Sequence, residues 1–234
     1  MKSGAKQKNK RLFEVERRID YFNLGVLVFT IGSIFGTLYE QIFMLICIYL
    51  DNGEIIWLPR AGLVYGPFSP IYGTGALIIF ILICYLRDKK WYDYFVYGFF
   101  IGGILEYIMA VLQEKLFGTR SWDYSEMPLN INGKTTVPYM VVWGALFLLF
   151  IYVFFPLIFK LYRKLPHKIG DILIKILAIF LIFDIIISCV AVYRQNLRRH
   201  GVEARNFIER YCDTRFTDEF LHTVYENAVP VEQK

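Results

Sequence analysis

Three carboxylic acids, Glu40, Glu106 and Asp184, stand in stretches of this 234-residue chain that are otherwise almost free of charge. A carboxylate near the centre of a hydrocarbon layer costs about 2.5–3.5 kcal/mol on insertion scales, so it is kept either as a partnered buried contact or as a group that carries a proton. Two of the three share one spacing, Gly32-x3-Gly36-x3-Glu40 and Gly98-x3-Gly102-x3-Glu106. Residues four apart fall on one face of a helix, so each stripe admits a second backbone closely and sets a carboxyl on the same packed face. Glu106 is the deeper of the pair, and Glu40 approaches the outer boundary of its helix. Asp184 has Ser188 one turn later on its own face and is expected to face other helices. Lys175 lies near a boundary and can extend its ammonium to water along an apolar stem.

Other chemistries lack their parts. There is no GxxxxGK[ST] phosphate loop, which excludes ATP hydrolysis by that route. Cys47, Cys84, Cys189 and Cys212 show no paired spacing, and His167, His200 and His222 are scattered, so neither a metal site nor a disulfide framework is expected, and no cofactor.

The elements that must position the acids follow from where charge is absent. The chain is 56% hydrophobic with a mean hydropathy of +0.41. Windows 22–50, 61–86, 94–113, 135–159 and 172–193 together hold four of its charged residues, Glu40, Glu106, Lys175 and Asp184. Such segregation excludes a soluble enzyme, a disordered chain and a nucleic-acid-binding domain, and no nucleic-acid partner is expected. Each window approaches or exceeds the roughly 20 residues a helix needs to cross a bilayer, and the windows are apolar on every side, unlike the alternating strands of a barrel. The fold class read from this is an all-α membrane protein with five transmembrane helices. The first window is too long for the core of a cleavable signal, so it is expected to remain.

The expected organisation is a basic N-terminal segment over 1–21, a transmembrane domain over 22–193 and a polar tail over 194–234. Lys2, Lys6, Lys8, Lys10, Arg11, Arg17 and Arg18 predict a cytoplasmic N-terminus in a cell membrane. Five spans then place the tail outside, against its own arginines Arg194, Arg198, Arg199, Arg205, Arg210 and Arg215. Within the tail, Phe207, Ile208 and Tyr211, then Phe220, Leu221, Val224 and Tyr225, recur at helical spacing and predict two short amphipathic helices with packing surfaces.

The two glycine–glutamate stripes, with Pro70 and Pro138 and with Gly75-Ala76-Leu77 and Gly144-Ala145-Leu146 at similar offsets, read as two parallel copies of one helix–loop–helix unit, about 22–86 and 91–161, followed by a fifth helix over 171–193. Chance recurrence of a common packing motif is the competing account. The charge-free run Tyr65-Gly66-Pro67-Phe68-Ser69-Pro70-Ile71-Tyr72-Gly73-Thr74-Gly75-Ala76 is too rich in Gly and Pro for regular helix. It reads either as re-entrant chain walling a site or as an interfacial turn with its tyrosines in the aromatic belt. In the loop after the second stripe, Arg120 and Asp123 are spaced to pair beside Trp122 and Tyr124, and Asn132-Gly133 reads as a tight turn.

At these residues the chain resembles the ABC-transporter type IV, or CmpB-like, family of small bacterial membrane proteins, which has distant vertebrate membrane relatives. The marks are GTLYE ending at Glu40, GPFSPIYGTGAL from Gly66, LEYIMAVLQEKLFGTRSWDYS ending at Ser125, the N-x-NGK turn and WGALF from Trp143, over about Phe29 to Asp184. The chain has Ser69 where that pattern has Cys and Gly133-Lys134-Thr135 where it has Gly-Arg-Ile, which speaks against thiol chemistry. The resemblance implies a transporter or permease component of unstated substrate. Five spans are few for a full pathway, so that reading implies a homo-oligomer or partner membrane subunits, with a separate ATPase if the ABC label applies. The alternative is a non-transporting scaffold or lipid-sensing protein. A membrane enzyme using Glu106, Glu114 and Asp123 as acid–base groups ranks third, and no catalytic residue is assigned.

Overall fold

The computed structural model describes residues 20–57, 62–85 and 89–231. Most of the basic N-terminal segment, together with Arg60 and Arg87, lies outside the described residues. Among those described there are seven helices and four two-residue strands. Helices α1 (Tyr21–Asn52), α3 (Trp91–Phe117), α4 (Val137–Lys164) and α5 (His167–Arg199) are long and apolar enough to cross a membrane. Helix α2 (Pro70–Tyr85) is apolar but has only 16 residues, roughly 24 Å.

Two antiparallel pairs, α1 with α2 and α3 with α4, make up most of the bundle. Their shared core includes Leu24 and Val28 of α1, Ile83 of α2, Tyr94 of α3 and Phe147 and Ile158 of α4. The outward faces stay apolar at Ile42, Ile46, Ile104, Ile108, Ile172 and Ile176, as hydrocarbon rather than water demands. Helix α4 carries a π-turn over Phe150–Phe154, with the Phe155 amide donating to the Phe150 carbonyl. Pro156 explains the local rearrangement, since it has no N–H and its ring crowds the preceding turn.

Two expectations are corrected. The stretch from Pro70 through Tyr72 and Gly73 to Ala76 is not irregular, because Pro70 opens α2 at the first helical position, where its missing N–H is no loss and its φ is pre-set. The irregular run is displaced toward the N-terminus and covers residues 62–69. The fifth helix also continues past residue 193 to Arg199, so Arg194, Arg198 and Arg199 form its last turns and the tail begins after them.

The tail folds into α6 (Phe207–Arg215) and α7 (Asp218–Val224). Phe207, Ile208 and Tyr211 are exposed, whereas Cys212, Phe216 and Leu221 are buried against Val64 and Ala191. Strand β4 (Val229–Pro230) then pairs antiparallel with β1 (Thr119–Arg120), which follows α3. The tail and the 118–136 loop therefore share one end of the bundle. At the other end the Asp20 amide donates to Tyr162 Oη at 3.3 Å, and Asn23 Nδ2 to Asp171 Oδ1 at 2.8 Å.

Candidate functional site

Glycine sets how closely the paired helices approach. A methyl group at Gly36 would fall 2.1 Å from Tyr72 Cγ, and one at Gly102 would fall 2.3 Å from Trp143 Cβ. One turn earlier, Gly32 faces Ala76 and Gly98 faces Phe147. Both stripes thus seat an aromatic ring of the neighbouring helix directly beside a glutamate.

Glu106 is 6% exposed. Its Oε1 accepts from Tyr124 Oη at 3.0 Å and its Oε2 from Thr135 Oγ1 at 2.6 Å, with the Trp143 side chain as a third partner. Tyr72 is hydrogen-bonded to Glu40, and the Tyr72 and Trp143 rings lie 5.5 Å apart between centroids. The two glutamates are therefore joined through Glu40, Tyr72, Trp143 and Glu106, across the line where α1–α2 meets α3–α4. Beneath this layer is a narrow cavity of about 60 Å³ between the pairs, lined by Gly32, Gly75, Gly98 and Ile101 among others.

The 118–136 loop presses Tyr124 and Thr135 onto Glu106. Strands β2 (Asn130–Ile131) and β3 (Thr135–Thr136) form a hairpin whose turn residues Asn132 and Gly133 take φ of 53° and 67°. The Lys134 amide closes that turn on the Ile131 carbonyl at 3.0 Å, so the positive φ values are required there. Arg120 Nη1 pairs with Asp123 Oδ2 at 2.8 Å, and Trp122 Nε1 donates to the Lys134 carbonyl at 2.9 Å. Lys134 and Glu114 form a further ion pair beneath the hairpin. Burial first, and then the neighbouring Glu106 carboxylate, push the Tyr124 phenol above its ordinary range, so it stays protonated and remains a donor.

Asp184 sits elsewhere, on α5, fully buried. Its Oδ1 accepts from the Tyr65 amide at 3.2 Å, while Ser188 Oγ accepts from the Val64 amide at 2.9 Å. These two side chains satisfy the backbone of the irregular run at membrane depth, where unpaired amides cost several kcal/mol. Gly66 and Pro67 form its exposed tip, and Tyr225 of the tail donates to the Gly62 carbonyl at 3.3 Å. The structure thus brings Glu40, Glu106, Tyr72 and Tyr124 together and leaves Asp184 with Tyr65 in a separate cluster.

Thr135 and Tyr39, which also stands beside Glu40 and Tyr72, were not singled out from sequence. Nor was the docking of Arg194, which is 1% exposed and grips Asp213 through Nε at 3.0 Å and Nη2 at 2.6 Å. Arg198 holds the same carboxylate at 2.6 Å.

A sequence-family model described as "Putative ABC-transporter type IV" covers residues 27–189, from the second turn of α1 through Asp184 and Ser188. No curated protein and no solved structure matches.

Proposed function

The chain belongs to the family described as "Putative ABC-transporter type IV", and from that premise we propose that it is a permease component of a cell membrane. In this reading α1–α2 and α3–α4 are two copies of one unit, and Glu40 and Glu106 act at the seam between them. The carrying observation is the matched chemistry of the two pairs, in which Gly36, Tyr72 and Glu40 repeat as Gly102, Trp143 and Glu106. Small residues that let helices slide, beside carboxyls that can carry a proton or meet a cationic group, are the parts such a step needs. This sequence has no phosphate loop, so in this reading energy from ATP comes from a separate subunit, and the basic residues before α1 support a cytoplasmic N-terminus, on the side where such a subunit works.

The test is purification from native membranes followed by reconstitution. The reading expects an oligomer or a co-purifying ATPase, and a dye-reported proton flux that Glu106→Gln abolishes while the exposed variant Ile104→Ala, matched in thermal stability, retains it. A strictly monomeric protein that binds nothing, or unchanged flux in Glu106→Gln, overturns it. One observation favours a scaffold instead: both Glu106 oxygens are already taken by donors of the chain itself. A scaffold expects Glu106→Gln to change stability alone.

A further inference from the structure

A groove of about 740 Å³ opens at the end of the bundle opposite the glutamates. Phe22 and Phe29 of α1, Phe80 of α2, Phe159 of α4 and Ala178 and Leu181 of α5 contribute to its walls. The chain before α2 is irregular, and its Leu63 and Phe68 pack against Leu181, with Phe29 and Ile185 around them, at the closed end of the groove.

From these observations the geometry points to an acyl chain of one phospholipid as the resident of this groove, drawn from the leaflet on the Tyr21 side. Three features select that occupant. The volume is several times the roughly 150 Å³ of an engineered apolar cavity that stays dry and binds benzene, so neither water nor vacuum suits it. The walls run without a break into the lipid-facing surface at Phe22, Ile81 and Ile182, which are about half exposed. Cations stand at its mouth, since exposed Arg163 lies one turn beyond Phe159 on the same face of α4 and Lys175 one turn outside Ala178 on α5. Tyr21 and Tyr85, at the same end, are placed where tyrosine favours the headgroup level. From Tyr21 to Phe29 the groove is roughly 12 Å deep at 1.5 Å per residue. It ends against the irregular run whose other side bonds to Asp184 and Ser188, so the bound chain braces that run from below.

The full chain, purified in mild detergent and measured by native mass spectrometry, is expected to retain one phospholipid under activation that strips the rest. Ala178→Trp, which fills the groove, lowers the retained fraction at least fivefold, whereas Ile179→Trp on the exposed face leaves it unchanged. Arg163→Ala with Lys175→Ala removes any preference for phosphatidylglycerol over phosphatidylcholine. Equal retention in the two tryptophan variants, or retention of a free fatty acid instead, overturns the assignment. Should Ala178→Trp fail to fold, the unmodified chain in phosphatidylglycerol vesicles bearing an acyl-chain diazirine decides the matter. Adducts concentrated on Phe80 and Leu181 support the site, and adducts spread evenly over Ile104, Ile172 and Ile179 overturn it.

Discussion

The rings of Tyr72 and Trp143 meet at 5.5 Å with 31° between their planes, and each is also the side chain that lies across a glycine and bonds the glutamate one turn further along the same helix. The pair joins the two helical hairpins at the level of their acids. Anything that separates the rings also separates Glu40 from Glu106.

Close approach should therefore be costly to disturb. Gly102→Ala places a methyl 2.3 Å from Trp143 Cβ, and overpacking of this kind costs about 1–3 kcal/mol. Gly75→Ala, whose methyl would meet only Leu105 and Trp143 at 3.6 and 3.7 Å, is expected to be neutral or to stabilise by up to about 1 kcal/mol, since alanine suits a helix interior better than glycine. Thermal unfolding of the two variants in one detergent checks the contrast.

Glu106 should tolerate Gln better than Ala. Gln keeps one acceptor for Thr135 or Tyr124, whereas Ala leaves both donors and the Trp143 partner facing an apolar gap, a loss of about 1–3 kcal/mol for each buried group left unpaired. Melting temperatures falling in the order wild type, Gln, Ala bear this out, and equal values refute it.

At Asp184 the informative substitution is Leu, which fits an apolar bundle yet removes the acceptor for the Tyr65 amide. Hydrogen exchange at Val64 and Tyr65 is expected to accelerate by roughly tenfold or more, the equivalent of about 1.4 kcal/mol. Asp184→Asn keeps an oxygen acceptor and is expected to exchange slowly. Unaltered protection in the Leu variant sinks the assignment.

Tail docking should depend on acid pH. The hydrogen bond from Arg194, aided by Arg198, holds the Asp213 carboxyl below its ordinary value despite partial burial. A carboxyl lowered on folding contributes stability that is present above the unfolded value near pH 4 and is lost as pH falls through the lower folded value. Limited acid proteolysis by pepsin is expected to cut near residue 200 and release the C-terminal tail only below about pH 4 in the wild type. In Asp213→Asn the tail should be released at every pH tested. Breaking a buried charge pair by removing one partner costs about 3–5 kcal/mol, and the partly exposed Asp213 places this case at or below the lower end.

The membrane class was legible because charge is excluded from hydrocarbon, and the spacing of Gly36 with Glu40 and of Gly102 with Glu106 already forecast a packed face beside each acid. The partners of those acids were less legible. Thr135 and Trp143 reach Glu106 from a loop and from another helix, and no periodicity links residues that far apart. Pro70 reads in the sequence as a helix breaker yet starts a helix, because a missing N–H that breaks a helix interior costs nothing in its first turn. The sequence places Arg194 in a polar amphipathic tail, since its charge pattern resembles any basic flank; Asp213, nineteen residues later, explains its burial.

The pairing of Val229–Pro230 with Thr119–Arg120 carries a consequence for the order of events at the ribosome. The second strand is translated long after the first, and the two cannot meet until α4 and α5 have been inserted and brought the chain back to the same surface. The 118–136 loop must therefore wait with an unpaired edge throughout insertion. Closure of that small sheet therefore comes last, because it needs both ends of the α4–α5 segment on one surface.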